Sequence, residues 1–303
     1  MFKIEELTGV MTALVSPLHQ DGTVDEAAIG RLVEHVLAGG VHGLLSLGST
    51  GEATSLDETA RRRLLSGVVE AAGGRVPVIC GVAQSHLAAA GSEVEAAARL
   101  GADAALVAPP FFYPIDQATL LAFYRRLADH SSIPILLYNI PGFTKVAAEP
   151  ATVATLAREG AIAGIKDSSR DFEYFEAVCI ATRGLPNFRI FIGSDTMLLA
   201  ALAMGGAGTI CGAANVAPQW VVRTYNDFRR GDMTAARAGQ DALYQLVMAV
   251  RGGVFPAAIK SALHLQGICD PWTAPPGQPL DEQAEAGLRE RLEHWGLLMA
   301  ATA

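Results

Sequence analysis

The chain of 303 residues is long enough for one large barrel or two ordinary domains, and length alone does not choose between them. Half of it is hydrophobic, 18% is charged and glycine is frequent, the balance of a compact soluble enzyme rather than a disordered or fibrous chain. The net charge of −8 is spread along the sequence without a Lys or Arg run that could follow a phosphate backbone, so nucleic acid is not an expected partner.

The first apolar stretch, residues 10–15, is far too short to span a bilayer and ends in Ser16-Pro17. No later segment gives an uncharged run of about 20 residues, so neither a signal peptide nor a membrane anchor is expected, and the location is read as cytoplasmic. Cys80, Cys179, Cys211 and Cys269 are far apart, with no CxxC pair and no companion His at metal-finger spacing, and they read as buried free thiols.

From the N-terminus onward, short apolar runs alternate with longer amphipathic stretches, and each run finishes in Gly, Pro, Ser, Asn or Asp. Strands are predicted at residues 9–17, 43–49, 77–82, 104–110, 134–140, 162–168, 189–195 and 207–213. Runs such as Ile135-Leu136-Leu137 are continuously apolar, as parallel strands covered on both faces must be. Eight such units predict an α/β fold, a (β/α)8 TIM barrel. Residues 25–37 place Ile29, Leu32, Val33, Val36 and Leu37 on one helical face after a capping box at Thr23-x-x-Glu26, and Ser55-x-x-Glu58 opens the next helix in the same way. After the eighth strand the helical pattern continues over 219–303 around a Pro-rich break at 271–279. Residues 1–225 are therefore expected to form the barrel and 226–303 a C-terminal helical extension packed against it.

Reactive groups on such a barrel belong at the carboxyl ends of the strands. Lysine occurs only at Lys3, Lys145, Lys166 and Lys260. Lys166 follows Ile162-Ala163-Gly164-Ile165 at the end of the sixth strand, where its side chain enters the barrel mouth. A free lysine, with a pKa near ~10.4, is almost wholly protonated at neutral pH, so a nucleophilic one needs desolvation or cationic neighbours. The competing reading of Lys166 is an ion pair with Asp167 or another acid. Lys260, within 257–265, reads as a helix-surface lysine with its stem packed down. The fifth strand ends Leu137-Tyr138-Asn139-Ile140-Pro141 and brings a phenol to the same rim, where it could move protons beside a forming iminium. The turn Gly48-Ser49-Thr50-Gly51-Glu52 after the second strand could hold a carboxylate through its amides.

Gly48-Ser49-Thr50-Gly51-Glu52, Tyr138-Asn139-Ile140-Pro141 and Gly164-Ile165-Lys166-Asp167-Ser168, in this order and spacing, resemble the dihydrodipicolinate synthase and N-acetylneuraminate lyase family over almost the whole chain. Pro109-Pro110-Phe111-Phe112-Tyr113, Gly193-Ser194-Asp195 and Gly206-Ala207-Gly208-Thr209-Ile210 are further matching landmarks. The resemblance implies a barrel with a helical extension, a homotetramer, and a lyase that uses a lysine Schiff base with pyruvate or another 2-keto acid, without metal or organic cofactor. It implies Lys166 as the Schiff-base former, Tyr138 as the acid–base residue and Thr50 as the proton-relay hydroxyl. Ser49 and Thr50 would bind the pyruvate carboxylate, with the Gly193 and Ile210 backbone lining the same pocket.

Several positions depart from the family. Phe143 stands where the lysine-biosynthetic synthases carry an arginine for the carboxylate of their aldehyde. Phe112 stands at the position of a relay tyrosine, with Tyr113 beside it. Thr196 and Gly212 replace the glutamate and serine that sialic acid lyases direct at sugar. The expected activity is therefore C–C bond making or breaking on a 2-keto-3-deoxy acid. Synthase and sialic acid lyase activities are the enzyme alternatives, and a non-catalytic 2-keto acid binder is the alternative of another class. A metal-dependent aldolase would need a ligand cluster, and the seven histidines read as scattered.

Overall fold

Eight short parallel strands close into a ring in the computed structural model, which describes residues 2–298. They are β1 (Gly9–Ala13), β2 (Gly43–Ser46), β3 (Val78–Val82), β4 (Ala104–Val107), β5 (Ile135–Asn139), β6 (Gly164–Asp167), β7 (Arg189–Ile192) and β8 (Gly208–Cys211). Each pairs in parallel with its sequence neighbour, and β8 pairs with β1. All eight predicted runs form strands. Most stop short of their predicted carboxyl ends, because the chain leaves the ladder there to build the loops of the barrel mouth.

Helices α1 (Glu26–Ala38), α2 (Glu58–Ala72), α3 (Leu87–Arg99) and α4 (Gln117–Ala128) follow the first four strands. The one-turn α5 (Pro141–Thr144) and then α6 (Pro150–Arg158) follow β5. Next come α7 (Phe172–Ala181), α8 (Leu198–Ala203) and α9 (Pro218–Arg229). The extension consists of α10 (Met233–Ala249), α11 (Ala257–Leu265) and α12 (Glu282–His294), with α10 against α8 and α9, and α12 against α11. The expected division after residue 225 falls inside α9, and its last five residues lie outside the described ones.

Helix starts are fixed by aspartate rather than by the predicted Thr and Ser boxes. Asp25 accepts from the Ala28 amide at 3.0 Å and Asp57 from the Ala60 amide at 2.7 Å, so Thr23 and Ser55 lie two residues too early. A carboxylate at the cap satisfies an orphan amide and complements the helix dipole, a contribution of about 1 kcal/mol.

Strand alternation divides the apolar residues into two layers. Leu45, Ile79, Leu106, Leu136, Phe191 and Ile210 point inward and fill the barrel, while Leu44, Leu137, Ile165 and Ile192 point outward against the helices. Each fully buried side chain of this size contributes on the order of 1.5–3 kcal/mol. All four cysteines are buried and free, and burial pushes the thiols of Cys80 and Cys269 up to about 12. Among the described residues, no helix is long and apolar enough to cross a membrane.

Candidate active site

Tyr138 and Lys166 are direct partners in the β5–β6 register, so their side chains leave the sheet on the same face. Both point into the barrel mouth and are almost wholly buried, Lys166 being 3% exposed. The Lys166 Nζ donates to Tyr138 Oη at 3.3 Å and lies 4.4 Å from the centroid of its ring. No carboxylate lies within ion-pair distance of Lys166 among the described residues, which removes the structural reading of this lysine as half of a salt bridge.

The adjacent acid is occupied elsewhere. Asp167 points to the opposite face of β6, where its carboxylate accepts from Asn139 Nδ2 at 2.8 Å, from the Ser169 amide at 3.1 Å and from Ser169 Oγ at 2.9 Å. Burial raises its pKa against the opposing pull of those hydrogen bonds. Asn139 in turn accepts from the Ala148 amide at 3.2 Å. The loops after β5 and β6 are thus tied together just behind the reactive pair.

Glycine at position 193 makes room for the lysine. A Cβ there would stand 2.0 Å from Ser168 Oγ and 3.1 Å from Lys166 Cε, so any side chain would push on the lysine stem. Ile210 is fully buried in the inner layer at the neighbouring strand end.

The Gly48–Glu52 turn presses against the same rim. Leu47 and Glu52, at its two ends, take left-handed backbone angles of φ 63° and φ 54°. The turn closes on itself through the Gly51 and Glu52 amides, which donate to Gly48 O at 3.0 Å and Ser49 O at 3.2 Å. The amides of Ser49 and Thr50 have no such partner among the described residues. The hydroxyl that reaches the phenol is that of Ser49, with Oγ 3.0 Å from Tyr138 Oη. Thr50, expected as the relay hydroxyl, has its buried side chain toward Gly212, 3.8 Å from where a Cβ there would be. In a turn, successive side chains point to different sides, and the first of the two hydroxyls is the one directed at β5.

Glu52 and Lys260 form the contact that sequence reasoning missed. Lys260 is fully buried and not on a helix surface; its Nζ lies 2.5 Å from Glu52 Oε2 and donates to Trp272 O at 2.7 Å. Glu52 Oε1 also accepts from the Ala274 amide at 2.7 Å. Burial lowers the Lys260 pKa, and Glu52 opposes that. The pair fastens the extension to the turn that carries Ser49.

A cavity of about 460 Å³ opens outward from Ser49 and Tyr138. One wall is barrel loop, including Phe143. The other is the extension, with Val254, Phe255, Thr273 and Ala274. Phe112 and Tyr113 stand exposed with their rings edge to face at 5.0 Å, and in this chain Tyr113 makes no hydrogen bond to Tyr138. The histidines are not all scattered: His19 lies with Asp25 and Asp270, one ligand atom of each within 4.8 Å. Asp25 there already caps α1, with Arg31 3.7 Å away, and none of the three lines the cavity.

Comparison with known proteins gives the family of the chain. Residues 6–295 match the profile of the Dihydrodipicolinate synthetase family. The chain is 38% identical over 278 residues to a 4-hydroxy-tetrahydrodipicolinate synthase of Hyphomonas neptunium, covering 92% of this chain and 94% of that one. It is 35% identical over 292 residues to an uncharacterized DapA-like lyase of Halobacterium salinarum, covering 96% and 95%. Among solved structures it resembles YagE, a prophage protein of the dihydrodipicolinic acid synthase family from E. coli K12 in complex with pyruvate. That match has a TM-score of 0.92 and 29% identity, over 96% of this chain and 99% of the other.

Proposed function

The chain belongs to the dihydrodipicolinate synthetase family, whose members are aldolase-type lyases, and from that premise we propose that Lys166 forms a Schiff base with pyruvate or a related 2-keto acid. The observation that carries this reading is the buried Lys166 amine, 3.3 Å from a phenol and without a carboxylate partner among the described residues. The pyruvate complex of the structural relative supports the same substrate.

The amine attacks C2 of the keto acid. Tyr138 supplies the proton that lets the carbinolamine lose water, and Ser49 holds the phenol and passes protons onward. The free amides of Ser49 and Thr50 receive the substrate carboxylate, as a turn of exposed N–H groups can. Tyr138, left as the phenolate by that dehydration, takes a proton from C3 of the iminium to give an enamine, which adds to an aldehyde, and the reverse sequence cleaves the product. The barrel interior behind the pair excludes water from these intermediates.

The preferred substrate is a 4-hydroxy-2-keto acid of the 2-keto-3-deoxy type. The main alternative, condensation of pyruvate with aspartate semialdehyde, is the activity named for the Hyphomonas relative. Against it, the cavity lining carries Phe143 and, among the described residues, no lysine or arginine to meet a second carboxylate. Pyruvate release from 4-hydroxy-2-keto acids, followed by coupling to lactate dehydrogenase, tests the reading. Phe143→Arg should raise kcat/KM for aspartate semialdehyde about ten- to a hundredfold, the scale of one charge-assisted hydrogen bond. The homotetramer is likewise a proposal: Phe112 and Tyr113, 81% and 75% exposed, offer apolar surface for assembly to cover, and sedimentation velocity measures it.

A further inference from the structure

Large apolar side chains surround the mouth of the cavity while remaining open to water. Phe143 is 64% exposed, Val254 70% and Phe255 46%. They come from distant parts of the chain, Phe143 from α5 and the other two from the turn between α10 and α11. Phe111, Ile140 and Pro276 continue the surface inward toward Tyr138. Convergence of exposed apolar groups on one concave site marks a ligand that takes them out of water.

The polar groups of the lining are mostly committed. Glu52 is held by Lys260 and by the Ala274 amide. Thr144 Oγ1 donates to the carbonyls of Ile140 or Val146, at 3.1 and 3.0 Å, and Ser49 is engaged with Tyr138. Thr273 Oγ1 has no hydrogen-bond partner but is sealed from solvent, out of reach of a ligand in the cavity. Among the described residues, Thr54 and Ser55 carry the hydroxyls still free for a ligand. A polyhydroxylated tail would have to leave water for a lining that cannot replace most of its hydrogen bonds, and every unpaired hydroxyl would count against binding.

We propose that the aldehyde half of the substrate is apolar, with an aromatic ring or branched alkyl group on the aldehyde carbon. The inference rests on the Schiff-base reading and specifies the substrate of the same site. In synthesis the enamine C3 adds to the aldehyde carbon and the C3–C4 bond forms. The carbonyl π pair moves to oxygen, which takes a proton from Tyr138. Water then hydrolyses the iminium, freeing the Lys166 amine and a 4-hydroxy-2-keto acid with an apolar substituent at C4. In cleavage Tyr138 takes the 4-hydroxyl proton as the C3–C4 pair returns to C3.

The test is kcat/KM at saturating pyruvate for benzaldehyde, isobutyraldehyde, glyceraldehyde and aspartate semialdehyde. One of the two apolar aldehydes should exceed glyceraldehyde by at least about tenfold, the discrimination an apolar pocket gives for one or two methylenes. Phe255→Ser and Phe143→Ser, changes at exposed positions that leave the barrel core untouched, should each bring that ratio toward one. Preference for glyceraldehyde or aspartate semialdehyde, or a ratio that neither substitution moves, overturns the inference. Borohydride trapping of pyruvate separates the two levels. An adduct on Lys166 together with a polar aldehyde preference sinks the apolar tail alone, whereas active protein without an adduct sinks the Schiff-base reading and this inference with it.

Discussion

Tyr138 and Lys166 face each other across the β5–β6 ladder, with phenol and amine 3.3 Å apart and the phenol lining the cavity. The ladder fixes the two backbone positions, since Tyr138 and Lys166 are registered partners on adjacent strands. Tyr138→Phe keeps the ring and its packing but removes the proton carrier. Turnover should fall by about 10²-fold or more, the usual scale of a general acid–base group, while pyruvate still forms its adduct. Unchanged kcat would leave Tyr138 a packing residue.

Ser49 and Thr50 separate cleanly by substitution. The Ser49 hydroxyl touches Tyr138 and that of Thr50 does not, so Ser49→Ala should lower kcat by roughly tenfold, the scale of one lost hydrogen bond, and Thr50→Val should lower it less. Steady-state kinetics of the two variants checks this. A larger loss for Thr50→Val restores the relay role to Thr50.

The Glu52–Lys260 pair makes a prediction about stability. Lys260→Met leaves the Glu52 carboxylate buried without its cation, and breaking such a pair from one side costs about 3–5 kcal/mol. Equilibrium denaturation in urea should show that loss. Glu52→Gln combined with Lys260→Met should be less destabilising than the two single changes summed, because no orphan charge remains. Strict additivity would mean that the two groups do not act as a pair.

The barrel could be read in the sequence because buried parallel strands are apolar on both faces, a pattern that survives without knowledge of tertiary contacts. Lys166 and Tyr138 were legible for a related reason, as polar groups at the ends of apolar runs. Lys260 was not, because a single lysine in a helix fits a snorkelling surface residue equally well. The usable signal was its surroundings: Ala257, Ala258, Ile259, Ala262 and Leu263 make α11 mostly apolar around Lys260, and residues 257–263 are all buried. Choosing between Ser49 and Thr50 needed the turn's backbone angles, which residue types alone do not determine. Val254 and Phe255 reach the cavity only through the packing of the extension, and no local pattern links them to β5.

Pyruvate, borohydride and peptide mapping together test the central claim most directly. Reduction of an iminium leaves a stable secondary amine, so the account predicts one pyruvate-derived mass increment on the peptide carrying Lys166. Lys166→Ala should abolish both increment and turnover without unfolding the barrel, and buried, ion-paired Lys260 should stay unlabelled. An increment on Lys260 or another lysine, or fully active protein that traps none, would contradict the account.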